Sequence, residues 1–363
     1  MIKKIKTAIT DPGKIVRKLS SRFYQRLNVD TMLGELLRYS PSRGARPKVM
    51  LVAPQYDYGD RKRGLSVEEN YFRHTLVSAG YDLVSFDPLY GQRRFGGRLM
   101  NKMLLESVYR ETPDVVLFVL SRDEIAKATL LEIRDELGAA TVNWFCDDHW
   151  RFEDFSREYA PCFTLAVTTD VQALPRYEAA GIRNVILSQW ACNHYLYRKL
   201  DLPYKYDVSF VGQPHGDRPR VIADLRKAGL KVAAFGYGWP GGRVSLYEMN
   251  RIFCESRINL NLSNASVGGA TQIKGRDFEI PGCGGFMLTG ENQALYGYFE
   301  PGKEIAVYKD TADLVEKARY YLANEKRREE IRLSGYRRTL REHTYEQRLK
   351  KIFEKVYQGP AAI

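Results

Sequence analysis

The sequence predicts an α/β protein made of two successive alternating strand–helix units, and three observations carry that expectation. Short apolar runs of strand length recur between amphipathic stretches from Lys48 to Leu187 and again from Asp207 onward, the pattern of open, mainly parallel sheets covered on both faces. A chain of 363 residues with 44% hydrophobic content is long enough for two domain cores. The longest apolar run, residues 115–120, suits a buried strand and falls far short of the roughly 20 residues a membrane helix needs.

Residues 1–47 read as a basic helical extension and linker. Lys3, Lys4 and Lys6 are not followed by an uninterrupted apolar stretch, so no cleavable signal peptide is expected. Asp11-Pro12-Gly13 breaks the segment, and Ile15, Val16, Leu19, Phe23 and Leu27 then fall near helical spacing with basic residues between them. Such a helix suits an anionic membrane surface or a packed face of its own domain. The net charge of +12 is concentrated here: twelve Lys or Arg against three Asp or Glu precede Val49, or +9, which leaves +3 for the rest. Nucleic acid is therefore not an expected partner of the folded domains. Five cysteines are scattered and odd in number, which points to a reducing cytoplasm without structural zinc.

An N-terminal Rossmann-like domain is expected over residues 48–200. Its strands fall at 49–53, 81–86, 115–120, 141–145, 163–167 and 185–187. Helices are expected at 66–79, 99–110, 124–137 and 171–180, with Ser66 and Glu69 spaced as a capping box and residues 91–98 as a loop rich in glycine and arginine. Asp147, Asp148 and His149 follow the carboxyl end of a strand, where open sheets place ligands. Either aspartate could act as a base toward an acceptor hydroxyl with His149 relaying a proton, or the group could bind a divalent ion, or it is an acidic turn capping the next helix. The other histidines are isolated and lack metal-ligand spacing.

Residues 193–206 read as a hinge, and a second Rossmann-like domain is expected over 201–342, with a basic amphipathic helix over 343–363. Strands are expected at 208–211, 232–235, 258–262 and 286–288, and helices at 220–228, 247–254, 314–322, 325–336 and 345–356. Gly212 and Arg218 bound a polar loop whose backbone or guanidinium could meet phosphate, or which is an ordinary strand-to-helix turn. Gly236-Tyr237-Gly238-Trp239 offers aromatic rings on which a base could stack, or a core pair. The richest stretch is Gln272 to Thr289. Lys274 and Arg276 can meet an anionic oxygen, Glu279 can accept from a ribose hydroxyl, and Gly284 and Gly285 allow close backbone approach. A helix ending in a glycine cap before a buried strand explains the same glycines without a ligand.

Gln272-Ile273-Lys274-Gly275-Arg276, Phe278-Glu279-Ile280-Pro281 and Gly284-Gly285-Phe286, followed by Phe299, Gly302, Glu304-Ile305 and Tyr308, resemble the C-terminal half of glycosyltransferases of the spore maturation protein B type. These are relatives of the group 1 glycosyltransferases. The likeness continues through Arg327-Arg328, Gly335-Tyr336 and His343-Thr344-Tyr345 to Arg348, covering roughly the last 160 residues, and is thin before them. It implies the GT-B architecture, two Rossmann-like domains facing a cleft, with a nucleotide-sugar donor on the second and the acceptor on the first. No cofactor and no metal are implied. Lys274 and Arg276 would stabilise the departing diphosphate, Glu279 would hold ribose, residues 236–239 the base, and Asp148 or His149 the acceptor. The acceptor would be a glycan, a lipid-linked molecule or a protein. The related group 1 pattern often has a glutamate eight positions before the one matching Glu279; here Thr271 stands there, which leaves the donor-sugar contact unassigned. Rival readings are a nucleotide-sugar epimerase of the same architecture, a metal-dependent transferase resting on Asp147-Asp148, and a scaffold binding membrane or RNA through residues 1–47.

Overall fold

The computed structural model describes residues 29–42, 44, 46–262 and 272–358. The expected basic helix near residues 15–27 and the Thr271 position lie outside the described residues. The chain divides into two compact units: residues through Gln189 with Leu349 onward, and Trp190–Arg348. The division falls just ahead of the expected hinge.

The first unit is built on seven strands, β1 (Leu37–Ser40), β2 (Lys48–Val52), β3 (Asp82–Phe86), β4 (Val115–Phe118), β5 (Ala140–Phe145), β6 (Leu165–Thr168) and β7 (Val185–Leu187), in the order β1-β3-β2-β4-β5-β6-β7. β2 to β7 pair in parallel. Val115, Val116, Leu117 and Phe118 are all fully buried, as the continuous apolar run of a strand covered on both faces requires. Two expectations are corrected here. Residues 37–40 were assigned to the extension and linker, yet β1 pairs antiparallel with β3, Leu37 opposite Phe86. β1 is secured by Arg38, whose Nη1 donates to both carboxylate oxygens of buried Glu69 at 2.9 and 3.0 Å. Ser66 Oγ accepts the Glu69 backbone N–H at 3.0 Å, so the expected cap forms while the Glu69 carboxylate is committed to Arg38. Residues 91–98 are not a loop. Except for Gly96 at the junction, they lie in helices α2 (Pro88–Phe95) and α3 (Gly97–Glu111), which follow α1 (Val29–Leu36). Asp87 accepts the Tyr90 N–H at 2.9 Å and Pro88 takes the first helical position, a start signal that the glycines and arginines obscured.

The second unit has five parallel strands, β8 (Tyr206–Val211), β9 (Val232–Phe235), β10 (Ser256–Asn261), β11 (Met287–Gly290) and β12 (Ala306–Tyr308), in the order β12-β11-β10-β8-β9. β8 is followed by α4 (Arg218–Lys227), β9 by α5 (Leu246–Cys254) and β10 by α6 (Arg276–Gly282). α5 starts with a complete capping box between Ser245 and Glu248. The unit ends in α7 (Thr311–Ala323), α8 (Glu325–Glu342) and the first turn of α9 (Tyr345–Gln358). Leu349, Ile352, Phe353 and Val356 line one face of α9 at helical spacing, and within the first unit the Phe353 ring meets Tyr81 edge-on at 5.7 Å.

The His343-Thr344-Tyr345 and Arg348 motif is a brace. Arg348 Nη2 donates to His343 Nδ1 at 3.2 Å, so the proton lies on Nε2, which donates to Tyr298 O at 2.8 Å. The imidazole packs among Phe278, Phe299 and Tyr298. Burial, and to a lesser extent the Arg348 and Arg338 charges, hold its pKa down at about 4 against an ordinary 6.5. The unfolded imidazole takes its proton first, so stability should fall as pH drops from about 6.5 through 4, by an order of 3 kcal/mol. Urea denaturation over that range should show a shallower acid slope for His343→Gln than for the wild type.

Candidate functional site

The second sheet changes direction at β8, with β9 on one side and β10 on the other. Loops after β8 and β10 therefore run apart at their carboxyl ends, and open α/β sheets bind ligands at such a point. Arg218, the first residue of α4, spans it. Its Nη2 donates to Leu262 O at 2.7 Å beyond β10, its Nη1 to Gln213 O at 3.1 Å beyond β8, and its guanidinium lies 5.7 Å over the Phe210 ring. Burial pushes the Arg218 pKa down, and the neighbouring Arg276 charge pushes it further the same way. The Arg276 charge is thus near enough to act on Arg218. Arg276 Nε is buried and has no hydrogen-bond partner among the described residues. An unmade hydrogen bond of this kind costs about 1–3 kcal/mol, and an oxyanion would satisfy both groups at once.

The segment carrying Arg276 is fixed by Asp277, which the sequence reading passed over. Its Oδ2 accepts the Lys274 N–H and its Oδ1 accepts from Asn261 Nδ2, each at 2.7 Å. Asn261 is the last residue of β10, so Asp277 ties the 274–276 turn to the strand end. Lys274 Nζ donates to Gln272 Oε1 at 2.5 Å. Glu279 lies on α6 three residues after Arg276 and is 1% exposed, near enough to raise the pKa of both Cys192 and Asp277.

The loops after β8 and β9 are locked together. Trp239 Nε1 donates to Gly212 O at 2.8 Å, and Gly236 adopts φ +128°, where an added Cβ would lie 2.3 Å from that same carbonyl oxygen. Glycine is obligatory there on both counts. The structure brings Gly212, Gly236, Gly238 and Trp239 together, but as a packed hinge between loops: Trp239 meets Phe210 edge-on and packs against the core. Tyr237 stands clear at 77% exposure.

Gly284 and Gly285 are a correction. They precede β11, at the opposite end of the sheet from the two arginines. The Gly285 N–H donates to Ile280 O and the Gly284 N–H to Pro281 O, at 2.8 and 2.9 Å, and Gly284 has φ +73°. This is a Schellman cap closing α6, which accounts for both residues without a donor.

In the first unit, Asp148 is fully buried and its Oδ2 accepts from Tyr177 Oη at 2.9 Å. Burial raises its pKa, with the Tyr177 hydrogen bond opposing. A sealed carboxyl cannot take a proton from an acceptor, so this expectation is also corrected. Asp147 is half-buried and its carbonyl accepts the N–H groups of Trp150 and Arg151 at 3.0 and 2.8 Å, while His149 is exposed. Among the described residues, no group of three or more His, Cys, Asp or Glu is placed to hold a metal ion.

Residues 218–354 match a family model described as glycosyl transferase-like. These residues are therefore similar to a glycosyl transferase-like domain. Its fold is that of GT-B glycosyltransferases. A glycosyltransferase from Rickettsia africae superposes with a TM-score of 0.61 at 8% identity over 87% of this chain and 99% of that one. Anabaena HepE in complex with UDP-glucose gives 0.59 at 10% identity over 86% and 100%. A Listeria monocytogenes protein assigned as a UDP-N-acetylglucosamine 2-epimerase gives 0.53 at 12% identity over 85% and 95%. A search of curated protein sequences finds no match. The matched segment contains Arg218, Lys274, Arg276, Asp277 and Glu279.

Asp277 gives this domain a measurable signature. Burial, working against the Lys274 and Asn261 hydrogen bonds, raises its pKa from 3.8 to about 7. The folded carboxyl keeps a proton that the unfolded chain has released, so its stabilising contribution is complete below pH 3.8 and is lost as pH rises through 7. Asp277→Asn should remove that decline, read as the difference between wild-type and variant stability from pH 4 to 8.

Proposed function

We propose that this protein is a glycosyltransferase of the spore maturation protein B type. It moves a sugar from a nucleoside diphosphate donor to an acceptor hydroxyl. The observation that carries the reading is the pairing of Arg218 with Arg276, whose buried Nε lacks a partner among the described residues, at the carboxyl ends of β8 and β10. A diphosphate carries the charge and the acceptor oxygens that this pair requires.

Cleavage of the sugar–phosphate bond builds negative charge on the departing diphosphate. Guanidinium groups fixed beforehand stabilise that charge without reorganising during the reaction. Arg218 is fixed by the Gln213 and Leu262 carbonyls, and the Arg276 segment by Asp277. Lys274, two residues upstream of Arg276, adds a third cation. In this reading two arginines and a lysine neutralise the leaving group without a metal ion. Tyr237 offers its ring to the base. His149 and Asp147 remain the acceptor-side candidates. HepE, of the same fold, is seen with UDP-glucose, which supports a nucleotide-sugar donor.

Nucleoside diphosphates should raise the melting temperature, with one base preferred. Arg276→Ala and Arg218→Ala should each weaken that binding by about tenfold or more, as expected for loss of a charge-assisted hydrogen bond. An undiminished shift in both variants would reject the assignment. Product analysis separates the epimerase alternative, since an epimerase converts donor alone whereas transfer requires a second substrate.

A further inference from the structure

The first unit has a separately built cationic feature. Its sheet changes direction at β2, with β3 on one side and β4 on the other, so the loop after β2 borders the crevice where such sheets take ligands. The loop leaves and returns through an antiparallel bridge between Tyr56 and Leu65, and the Asp57 N–H donates to Gly64 O at 3.0 Å. Between them Arg61, Lys62 and Arg63 stand exposed.

Fixing the backbone costs about 1–2 kcal/mol per residue, so an exposed polar loop held rigid is notable. This one is held from several directions. Arg93, from α2, donates Nη1 to Gly59 O at 2.6 Å and Nη2 to Tyr58 O at 2.8 Å. It thereby supports two successive residues with positive φ, +50° at Tyr58 and +67° at Gly59. Asp60 accepts the Lys62 N–H at 2.9 Å, and Arg63 Nε pairs with Asp57 at 2.8 Å while lying over the Tyr58 ring.

Four nearby carboxylates are already committed. Asp57 serves Arg63, Asp60 serves the backbone, Asp87 accepts the Gln55 and Tyr90 N–H groups, and Glu35 serves Arg94 and Tyr90. Among the described residues, Arg61 and Lys62 have no ion-pair partner; Arg61 lies 5.4 Å over the Tyr56 ring. Two cations are therefore displayed, at a fixed place beside a ligand crevice, without neutralisation.

We infer that Arg61 and Lys62 bind an oxyanion on the acceptor saccharide, a uronate carboxylate or a phosphate. The saccharide rests on the transferase reading; the capture of an oxyanion by this loop does not.

The test uses the full chain saturated with UDP, with UDP binding followed by thermal shift in the same samples. Octagalacturonate, a phosphorylated pentamannose, neutral malto-octaose and phosphatidylglycerol vesicles are titrated in turn. At least one charged saccharide should bind at least tenfold more tightly than malto-octaose, and weaken with added salt. Which of the two binds identifies carboxylate or phosphate. Arg61→Gln with Lys62→Gln should weaken it about tenfold or more, Arg61→Lys should restore much of the loss in that background, and the UDP shift should be unchanged. Lys14→Gln with Lys18→Gln should leave saccharide binding intact. Equal binding of malto-octaose, full affinity in the double loop variant, a loss confined to the Lys14 and Lys18 variant, or binding of vesicles alone would each overturn the proposal. Failure of the UDP shift with charged-saccharide binding intact would instead remove the donor reading and leave this site standing.

Discussion

Two guanidinium groups sharing the carboxyl ends of β8 and β10 set the terms for the second unit. Like charges at close range repel, and burial strengthens the penalty because solvent screens them less. The Arg218 pKa is lowered by both effects. The fold maintains the arrangement through neutral partners, the Gln213 and Leu262 carbonyls for Arg218, and through the Asp277 clamp for the turn that carries Arg276. An anion between them would turn a cost of the unliganded protein into binding energy, which is the physical content of preorganisation.

The stretch from Gln272 to Thr289 has two separate jobs. Its charged half lies at the carboxyl end of β10, and its glycine half closes α6 just before β11. A helix of seven residues spans about 10 Å, enough to move Gly284 and Gly285 away from any group held by Arg276. Residues adjacent in one motif are therefore at opposite ends of a sheet. Cationic residues contact ligand in the proposed function, whereas the glycines allow the chain to turn and pack. The same division recurs farther along, where His343 and Arg348 resemble family motif residues but serve to brace aromatic rings around Phe278.

Both sheets change direction at their first parallel strand, and charged loops occupy both places. In the second unit the loops after β8 and β9 are welded by Trp239 and Gly236. In the first, Arg93 and Asp60 stiffen the loop after β2. Rigid loops on parallel sheets give ligand-binding groups fixed positions at low entropic cost on binding.

Strand positions were legible because a sheet buried on both faces demands uninterrupted apolar runs, as at Val115–Phe118. Arg218, Lys274, Arg276 and Glu279 were legible by charge type and by resemblance. α2 was hidden by its glycine and arginines, β1 by the basic composition around it, and Asp277 by the more conspicuous charges on either side. What the sequence alone determined is the alternation of strands and helices and the cationic chemistry of the second unit, since both depend on local pattern and residue type. Only the tertiary structure decided that Asp148 is sealed, that Gly284 and Gly285 form a cap, and that Arg218 comes within electrostatic range of Arg276 across 57 intervening positions, because burial and juxtaposition arise from strand order rather than from neighbours in the chain.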